Sequence, residues 1–334
     1  MKKYNVGIVG IGAVGSEMVR ILRQRNFPID ELRVLARRER DEEIAGEVLH
    51  VTPADAPDAF KGLDFALFAG TEGAKGASQT YGWAAAEQGV ICIDNGDDFR
   101  MDDRVPLIVP EVNAAALEGH QNLIANPNCS TIIALMALGP LYKEKKIKRI
   151  IASTYQSVSG SGQAAVDELS AQARAWAAGE SIQADVYPHQ IVFNTLPHIG
   201  GLKDELPGYY SEELKMRNEM RKILGDADIQ VCCTCVRVPT FYSHAESINV
   251  EFEDDLSPDE AREILNAAAG VTVADDPANA VYPMPIDGEG KDDVLVGRIR
   301  RDETAPNSLA MFVVGDNIRK GAALNTVQIA EAMI

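Results

Sequence analysis

No run in this chain approaches the roughly 18 apolar residues that a membrane-spanning helix needs. Its first residues, Met1 to Asn5, lead into a strand-like segment without the apolar core of a secretion signal. A cytoplasmic protein with no membrane partner is expected. Positive charge is scarce, since 32 Lys and Arg stand against 50 Asp and Glu for a formal net charge of −18. Such a surface repels nucleic acid over most of its area, so an anionic ligand must be caught by local basic groups. Cysteine is scarce and odd in number: the five thiols at 92, 129, 232, 233 and 235 make no disulfide framework. Cys232 and Cys235 are spaced C-x-x-C, but no second pair stands at zinc spacing and Ile229, Val231 and Val236 read as a buried strand, so no metal site is expected.

What is present is an ordinary globular composition, 46% hydrophobic and 25% charged, over 334 residues. Single cores stop growing at about 250–300 residues, so two domains are expected. Tyr4 to Val9 form an apolar run that stops at Gly10-Ile11-Gly12-Ala13-Val14-Gly15, after which Val14, Met18, Ile21 and Leu22 recur at helical spacing. Strand, glycine turn and helix in that order bring backbone N–H groups to a pyrophosphate at a helix N-terminus. Gly10, Gly12, Ala13, Val14 and Gly15 are therefore the candidate cofactor loop. The second strand, Leu32 to Ala36, ends where an NAD enzyme usually sets an acid against the ribose, and here Arg37-Arg38-Glu39-Arg40 follows. Arg37 and Arg38 suit the 2′-phosphate of NADP, although a solvated charged loop accounts for any one arginine taken alone.

Further strand-like runs at Phe65–Ala69, Val90–Asp94, Pro106–Pro110 and Asn122–Ala125, with a segment Gly70–Gln88 that can carry a helix, predict a doubly wound, mostly parallel sheet. The last run leads into Asn126-Pro127-Asn128-Cys129-Ser130-Thr131 and an apolar helical stretch, Ile132 to Leu141. A cysteine at a helix N-terminus sits at the positive end of the dipole, which favours its thiolate. Beyond it, longer strands at Ile147–Gln156, Gln230–Pro239, Ser247–Glu253, Asp293–Ile299 and Leu309–Val314 predict a mixed or antiparallel sheet. Helices are expected among them, one with Val166, Leu169, Ala173 and Trp176 in register and one over Ser211–Leu224 with Ser211 as N-cap. The expected fold is thus an α/β Rossmann-type domain (1–128 with 316–334) and an α+β substrate and dimerisation domain with a mixed sheet (129–315).

These motifs, with Tyr155-Gln156-Ser157-Val158-Ser159-Gly160, Arg237-Val238-Pro239, His244-Ala245-Glu246 and Val314-Gly315-Asp316-Asn317-Ile318-Arg319-Lys320-Gly321 in this order, resemble bacterial aspartate-semialdehyde dehydrogenases along essentially the whole chain. The resemblance implies an NADP-dependent, phosphorylating aldehyde dehydrogenase of amino-acid biosynthesis, acting as a homodimer on aspartate semialdehyde and phosphate. It implies Cys129 as nucleophile, Gln156 as its orienting neighbour and His244 as general acid/base. Arg237 would take the substrate α-carboxylate, Glu212 the ammonium, and Arg100, Asn128 and Lys215 the phosphoryl group. Taken alone, His244 reads as a buried core histidine and Glu212 with Lys215 as an exposed helix pair. The chain departs from the family in its shorter glycine turn, in Arg37 and Glu39, and in Asp97 and Asp98 beside Arg100, where phosphate affinity is expected to weaken. An N-acetyl-γ-glutamyl-phosphate reductase shares this chemistry but takes a substrate without a free ammonium, and a catalytically inactive binding protein is the other alternative.

Overall fold

The computed structural model describes residues 2–70 and 76–334. The backbone divides into two compact units, one running to Asn128 and taking in Ala322–Ile334, the other Cys129–Gly321. Asp316 to Gly321, expected with the C-terminal return, thus lie in the second unit. Hydrogen bonds give the reason: Asp316 Oδ2 accepts from Gly290 N–H at 2.7 Å and Asn317 Oδ1 from Ser243 N–H at 3.0 Å.

In the first unit, β1 (Tyr4–Val9) has an almost continuous apolar sequence and lies inside a seven-stranded sheet, as a strand covered on both faces must. With β2 (Ile29–Ala36), β3 (Arg40–Ile44), β4 (Glu47–Pro53), β5 (Phe65–Phe68), β6 (Ile91–Asp94) and β7 (Leu123–Ala125) the order is β3-β4-β2-β1-β5-β6-β7. Every pairing is parallel except β3 with β4. The strand order reverses at β1, between β2 and β5, and that switch point is where such sheets open a crevice. Helix α1 (Ala13–Gln24) buries Met18, Val19, Ile21 and Leu22, the stripe its spacing predicts. Helix α2 (Ala77–Ala86) falls in the predicted helical segment, of which 71–75 lie outside the described residues.

Two features of this unit differ from the sequence reading. The β3–β4 hairpin went unread because β3 is Arg-Asp-Glu-Glu-Ile, four charges without apolar alternation. Its two-residue turn, Ala45 and Gly46 with φ of 54° and 84°, carries the signal instead. The run Pro106–Pro110 is not a strand. It makes one bridge, Leu107 to Ala125, and Pro110 then opens α3 (Pro110–Asn113), the first-turn position where a missing N–H costs nothing.

The second unit begins with α4 (Cys129–Glu144), in which every residue from Ser130 to Gly139 is buried. A helix apolar all round belongs in a core, and α4 packs on a six-stranded sheet beside two other helices. The unit holds β8 (Ile147–Gln156), α5 (Gln163–Ala178), α6 (Ser211–Leu224), β9 (Gln230–Arg237), β10 (His244–Phe252), α7 (Pro258–Ala267), β11 (Val271–Val273), α8 (Pro285–Gly288), β12 (Val294–Arg301) and β13 (Ser308–Gly315). The sheet order is β11-β12-β13-β10-β8-β9. It is mixed, with β8–β9 and β11–β12 parallel and the other pairs antiparallel. Tyr210 rather than Ser211 is the N-cap of α6, its N–H given to the Glu213 carboxylate at 2.8 Å. Trp176 is 60% exposed rather than in the α5 core stripe, because the cluster around Val158, Leu169 and Leu196 ends a turn earlier and Trp176 rests on Phe193. The sheet face away from α4 shows Ile151 and Tyr155, with Phe312 beside Tyr155.

After β13 a wide five-residue turn, Arg319–Ala323, leads into α9 (Leu324–Glu331), which packs on α1 within the first unit. Among the described residues no helix is long and apolar enough to cross a membrane, and no cluster of His, Cys, Asp or Glu could hold a metal ion.

Candidate active site

Glycines shape the crevice of the first unit. Gly10 has φ +95°, and a Cβ on Gly15 would stand 1.9 Å from the Gly10 carbonyl oxygen, so both positions demand glycine. Gly12 is the N-cap of α1, with Ala13 and Val14 in a first turn that carries no acid, so the positive helix end is unopposed. A cavity of about 430 Å³ opens there, lined among others by Gly10, Ala36, Arg37, Asp55, Gly70 and Tyr81. Arg37 faces the cavity, and Arg38 is exposed beside it with its carbonyl accepting from Arg40 Nη1. A glycine-walled cradle at a helix N-terminus with an arginine at the next strand end fits a dinucleotide.

In the second unit one sheet edge gathers the predicted catalytic side chains. Cys129 is the first residue of α4, partly exposed, and a Cβ on Gly321 would lie 2.9 Å from its Cβ. Gln156, the last residue of β8, donates from Nε2 to Ser130 Oγ at 2.6 Å and to Glu212 Oε1 at 2.9 Å. Glu212 is buried in the first turn of α6, and Lys215, half-buried, follows one turn on. Arg237 ends β9, which pairs in parallel with β8 so that Gln156 and Arg237 stand side by side. Its Nη1 donates to the Ser157 carbonyl at 2.7 Å, while the buried Nε has no acceptor among the described residues. His244, wholly buried, opens β10 opposite Gly315. A Cβ on Gly160 would stand 2.9 Å from Arg237 Nη1 and 3.3 Å from His244 Nε2, so a side chain there would crowd both groups.

Arg100 and Asn128 belong to the first unit. Arg100 is buried and gives Nε to the Asn126 carbonyl at 3.0 Å and Nη2 to that of Asn95 at 2.9 Å. Nearby, burial raises the Asp94 carboxyl to about 6 against the pull of the Gly96 N–H, Ser78 and the Arg100 charge.

Electrostatics separates the cysteines. Burial raises the thiols of Cys92, to about 12, and of Cys233 and Cys235, which makes them inert core groups. Burial, then the Arg237 charge, hold the His244 imidazole well below its ordinary value, so the ring is neutral. The sequence reading assigned nothing to Ser157, Ser159, Asn317 or Glu246. Ser157 N–H and Oγ meet His244 Nδ1, and Asn317 ties Ser157 to Ser159. Glu246, two residues along β10 from His244, is wholly buried without a hydrogen bond among the described residues, and burial followed by the Glu212 charge push its carboxyl well up. The period-2 pattern of β10 puts Glu246 on the face of His244, which is the one signal that could have found it.

Comparison with known proteins bears on both units. Residues 5–120 match the semialdehyde dehydrogenase NAD binding domain and residues 138–320 the semialdehyde dehydrogenase dimerisation domain. The chain is 48% identical to an aspartate-semialdehyde dehydrogenase of Aquifex aeolicus, over 99% of this chain and 98% of that protein. It is 43% identical to one of Bacillus subtilis, over 98% and 97%. The crystal structure of aspartate semialdehyde dehydrogenase II from Vibrio cholerae complexed with ASA superposes with a TM-score of 0.93 at 42% identity, covering 100% of this chain and 98% of that one. On this full-length likeness, the chain belongs to the aspartate-semialdehyde dehydrogenase family of NAD(P)-dependent oxidoreductases.

Proposed function

We propose that the protein catalyses the reversible NADPH-dependent conversion of L-4-aspartyl phosphate to L-aspartate 4-semialdehyde and phosphate through a thioester on Cys129. The observation that carries this reading is the gathering of Cys129, Gln156, Glu212, Arg237 and His244 at one edge of the second sheet, in a chain whose full-length relatives are named for that aldehyde. The Cys129 thiolate adds to the acyl carbon and expels phosphate, splitting a hard displacement into two easier steps. Arg237, with Nε buried and unmatched, takes the α-carboxylate in a charge-assisted pair, and Glu212 takes the ammonium. Gln156, held by Ser130 and Glu212, fixes the substrate against the sulfur, and His244 presents Nε2 to the reacting carbonyl oxygen. Lys215, Arg100 and Asn128 meet the phosphate. NADPH, when bound, supplies the hydride that reduces the thioester carbon.

Gly10, Gly12, Ala13, Val14 and Gly15 hold the pyrophosphate and Arg37, with Arg38, the 2′-phosphate, so the first unit is the cofactor domain. The second is the catalytic and dimerisation domain, and its uncovered sheet face at Ile151, Tyr155 and Phe312 supports a homodimer. The protein works in the cytoplasm. The test follows absorbance at the NADPH band on mixing protein with NADP⁺, phosphate and L-aspartate semialdehyde. Phosphate-dependent reduction of NADP⁺ is expected, lost in Cys129→Ala and absent with N-acetylglutamate semialdehyde. Activity with the N-acetylated aldehyde alone would assign the longer substrate, and silence with both would sink the enzyme reading.

A further inference from the structure

We propose that the first turn of α9 sets the direction of Arg100 for phosphate. Asn325 and Thr326 are positioning residues, which act through side-chain amides on Asn126 and Asn95, the two residues whose carbonyls hold the Arg100 guanidinium. The inference rests on the phosphate role assigned to Arg100 above and deepens it by two residues far away in the sequence.

The relay runs from Asn325 through Asn126 and Asn95 to Thr326. Asn325 Nδ2 donates to the Ile108 carbonyl at 2.9 Å and to Asn126 Oδ1 at 2.7 Å. Asn126 Nδ2 donates in turn to Asn95 Oδ1 at 2.8 Å, with the Pro127 carbonyl as a second acceptor at 3.2 Å. Asn95 Nδ2 donates to Thr326 Oγ1 at 2.6 Å and, at a longer 3.3 Å, to the Phe68 carbonyl, while Thr326 Oγ1 gives its own hydrogen to the Ala322 carbonyl at 3.0 Å. Two consecutive residues of α9 thus hold both ends, reaching back 199 and 231 residues along the chain. Asn126, Asn325 and Thr326 are wholly buried.

The relay has one polarity. A carbonyl can only accept, so Ile108 decides which end of the Asn325 amide carries hydrogen, and the rest follows. Asn126 must face Asn325 with its oxygen, and Asn95 must face Asn126 with its oxygen. That leaves the Asn95 amino group for Thr326, whose hydroxyl hydrogen already has a carbonyl. Turning any one amide over would set donor against donor or oxygen against oxygen, which is costly for buried groups. The helix that carries both ends is itself held, since α9 packs on α1 and Arg25 forks from Nε and Nη2 onto the Glu331 oxygens at 2.8 and 2.7 Å.

Arg100 stands on this relay. Its Nε donates to the Asn126 carbonyl at 3.0 Å and its Nη2 to the Asn95 carbonyl at 2.9 Å. The N–H groups of the same two residues are engaged as well, Asn126 with the Asp94 carbonyl at 2.7 Å and Asn95 with that of Phe68 at 3.1 Å. Each residue that holds Arg100 is therefore fixed through its backbone and through its side chain. A guanidinium is a rigid planar fork, so anchoring two of its donors sets its plane. Binding a phosphate through such a fork depends on that plane, and a fork freed to turn has to be ordered again at each binding, which weakens affinity. Asn325 and Thr326 thus act on phosphate through Arg100.

The test measures steady-state constants of the full chain with NADP⁺, phosphate and L-aspartate semialdehyde. Thr326→Val keeps the side-chain shape and removes the hydroxyl, Asn325→Leu removes both donations, and Thr326→Ser keeps the hydroxyl. In Thr326→Val and Asn325→Leu the KM for phosphate should rise by about tenfold or more, while the KM for the aldehyde and the Kd of NADP⁺ stay within about twofold of the parent chain. Thr326→Ser should match the parent. An unchanged phosphate constant, or a common drift of all three constants, would overturn the proposal, and if Asn325→Leu does not fold, Thr326→Val decides alone. Arg100→Ala separates the proposal from the role on which it rests. That variant should itself raise the KM for phosphate, and adding Thr326→Val to it should change the constant by less than about twofold. Full additivity would mean that α9 acts by a route other than Arg100 and would sink the proposal. A phosphate constant untouched by Arg100→Ala would remove Arg100 from the phosphate site, and the proposal with it.

Discussion

At the scale of single residues, the absence of a side chain matters as much as its presence. Gly321 backs Cys129 so closely that a Cβ there would stand 2.9 Å from the Cys129 Cβ, closer than real Cβ atoms come. Gly321→Ala should push the nucleophile off line and lower kcat by about 10²-fold with the melting temperature little changed, since small displacements of a reacting group are costly. An unchanged kcat would mean that the wide turn at Arg319–Ala323 yields instead. Glu246 offers a stability test. Its folded-state carboxyl is raised, so its contribution is complete below the ordinary glutamate value near 4.5 and is lost as pH climbs through the raised one. Glu246→Gln removes that loss. Melting curves should lie together near pH 5 and separate by pH 8, with the Gln variant the more stable, and parallel behaviour at both pH values would refute the buried-acid account. The residue types proposed for the reaction at Cys129, Arg237 and His244 were legible from the motifs. The wiring of His244 to Ser157 was not, because its partner stands 87 residues earlier and nothing local says which ring atom it meets.

At the scale of elements, the proposed preference for NADPH rests on the loop joining β2 to β3. Arg37 lines the crevice and Asp55 lines it too, so the pocket holds one cation for a 2′-phosphate and one acid that resembles the ribose partner of NAD enzymes. Arg37→Ala should weaken NADPH binding by about tenfold or more and leave NADH nearly unaffected, measured as the two dissociation constants. Equal weakening of both would remove the 2′-phosphate role. Elements with strong periodicity were legible to the residue: β1 and β8 run where their alternation or apolar run predicts. The misread elements are those whose formation depends on neighbours. The charged β3 exists because β4 pairs with it at a sheet edge where both faces meet water, and Pro106–Pro110 stays irregular because prolines at its ends remove the donors a ladder requires.

At the scale of the whole molecule, a sheet covered on one side by α4, α6 and α7 has a bare other side, the face proposed above for a second copy. Ile151 and Tyr155 on β8 are about 40% exposed, unusual for large apolar side chains in mid-sheet. Ile151→Asp should shift sedimentation from two-chain to one-chain mass, and an undisturbed dimer would place the interface elsewhere.

The glycine turn after β1, the cysteine before an apolar helical run and the chain length were enough by themselves to predict two domains, a dinucleotide cradle and a candidate thiol nucleophile, because each is a local pattern with a local physical cause. Only the tertiary structure decided that Arg100 gives its Nε and Nη2 to backbone carbonyls, that Glu246 is a buried acid and that His244 faces a donor at Nδ1. Those are properties of which groups meet, at what distance and away from how much water, and no stretch of sequence contains both members of such a pair.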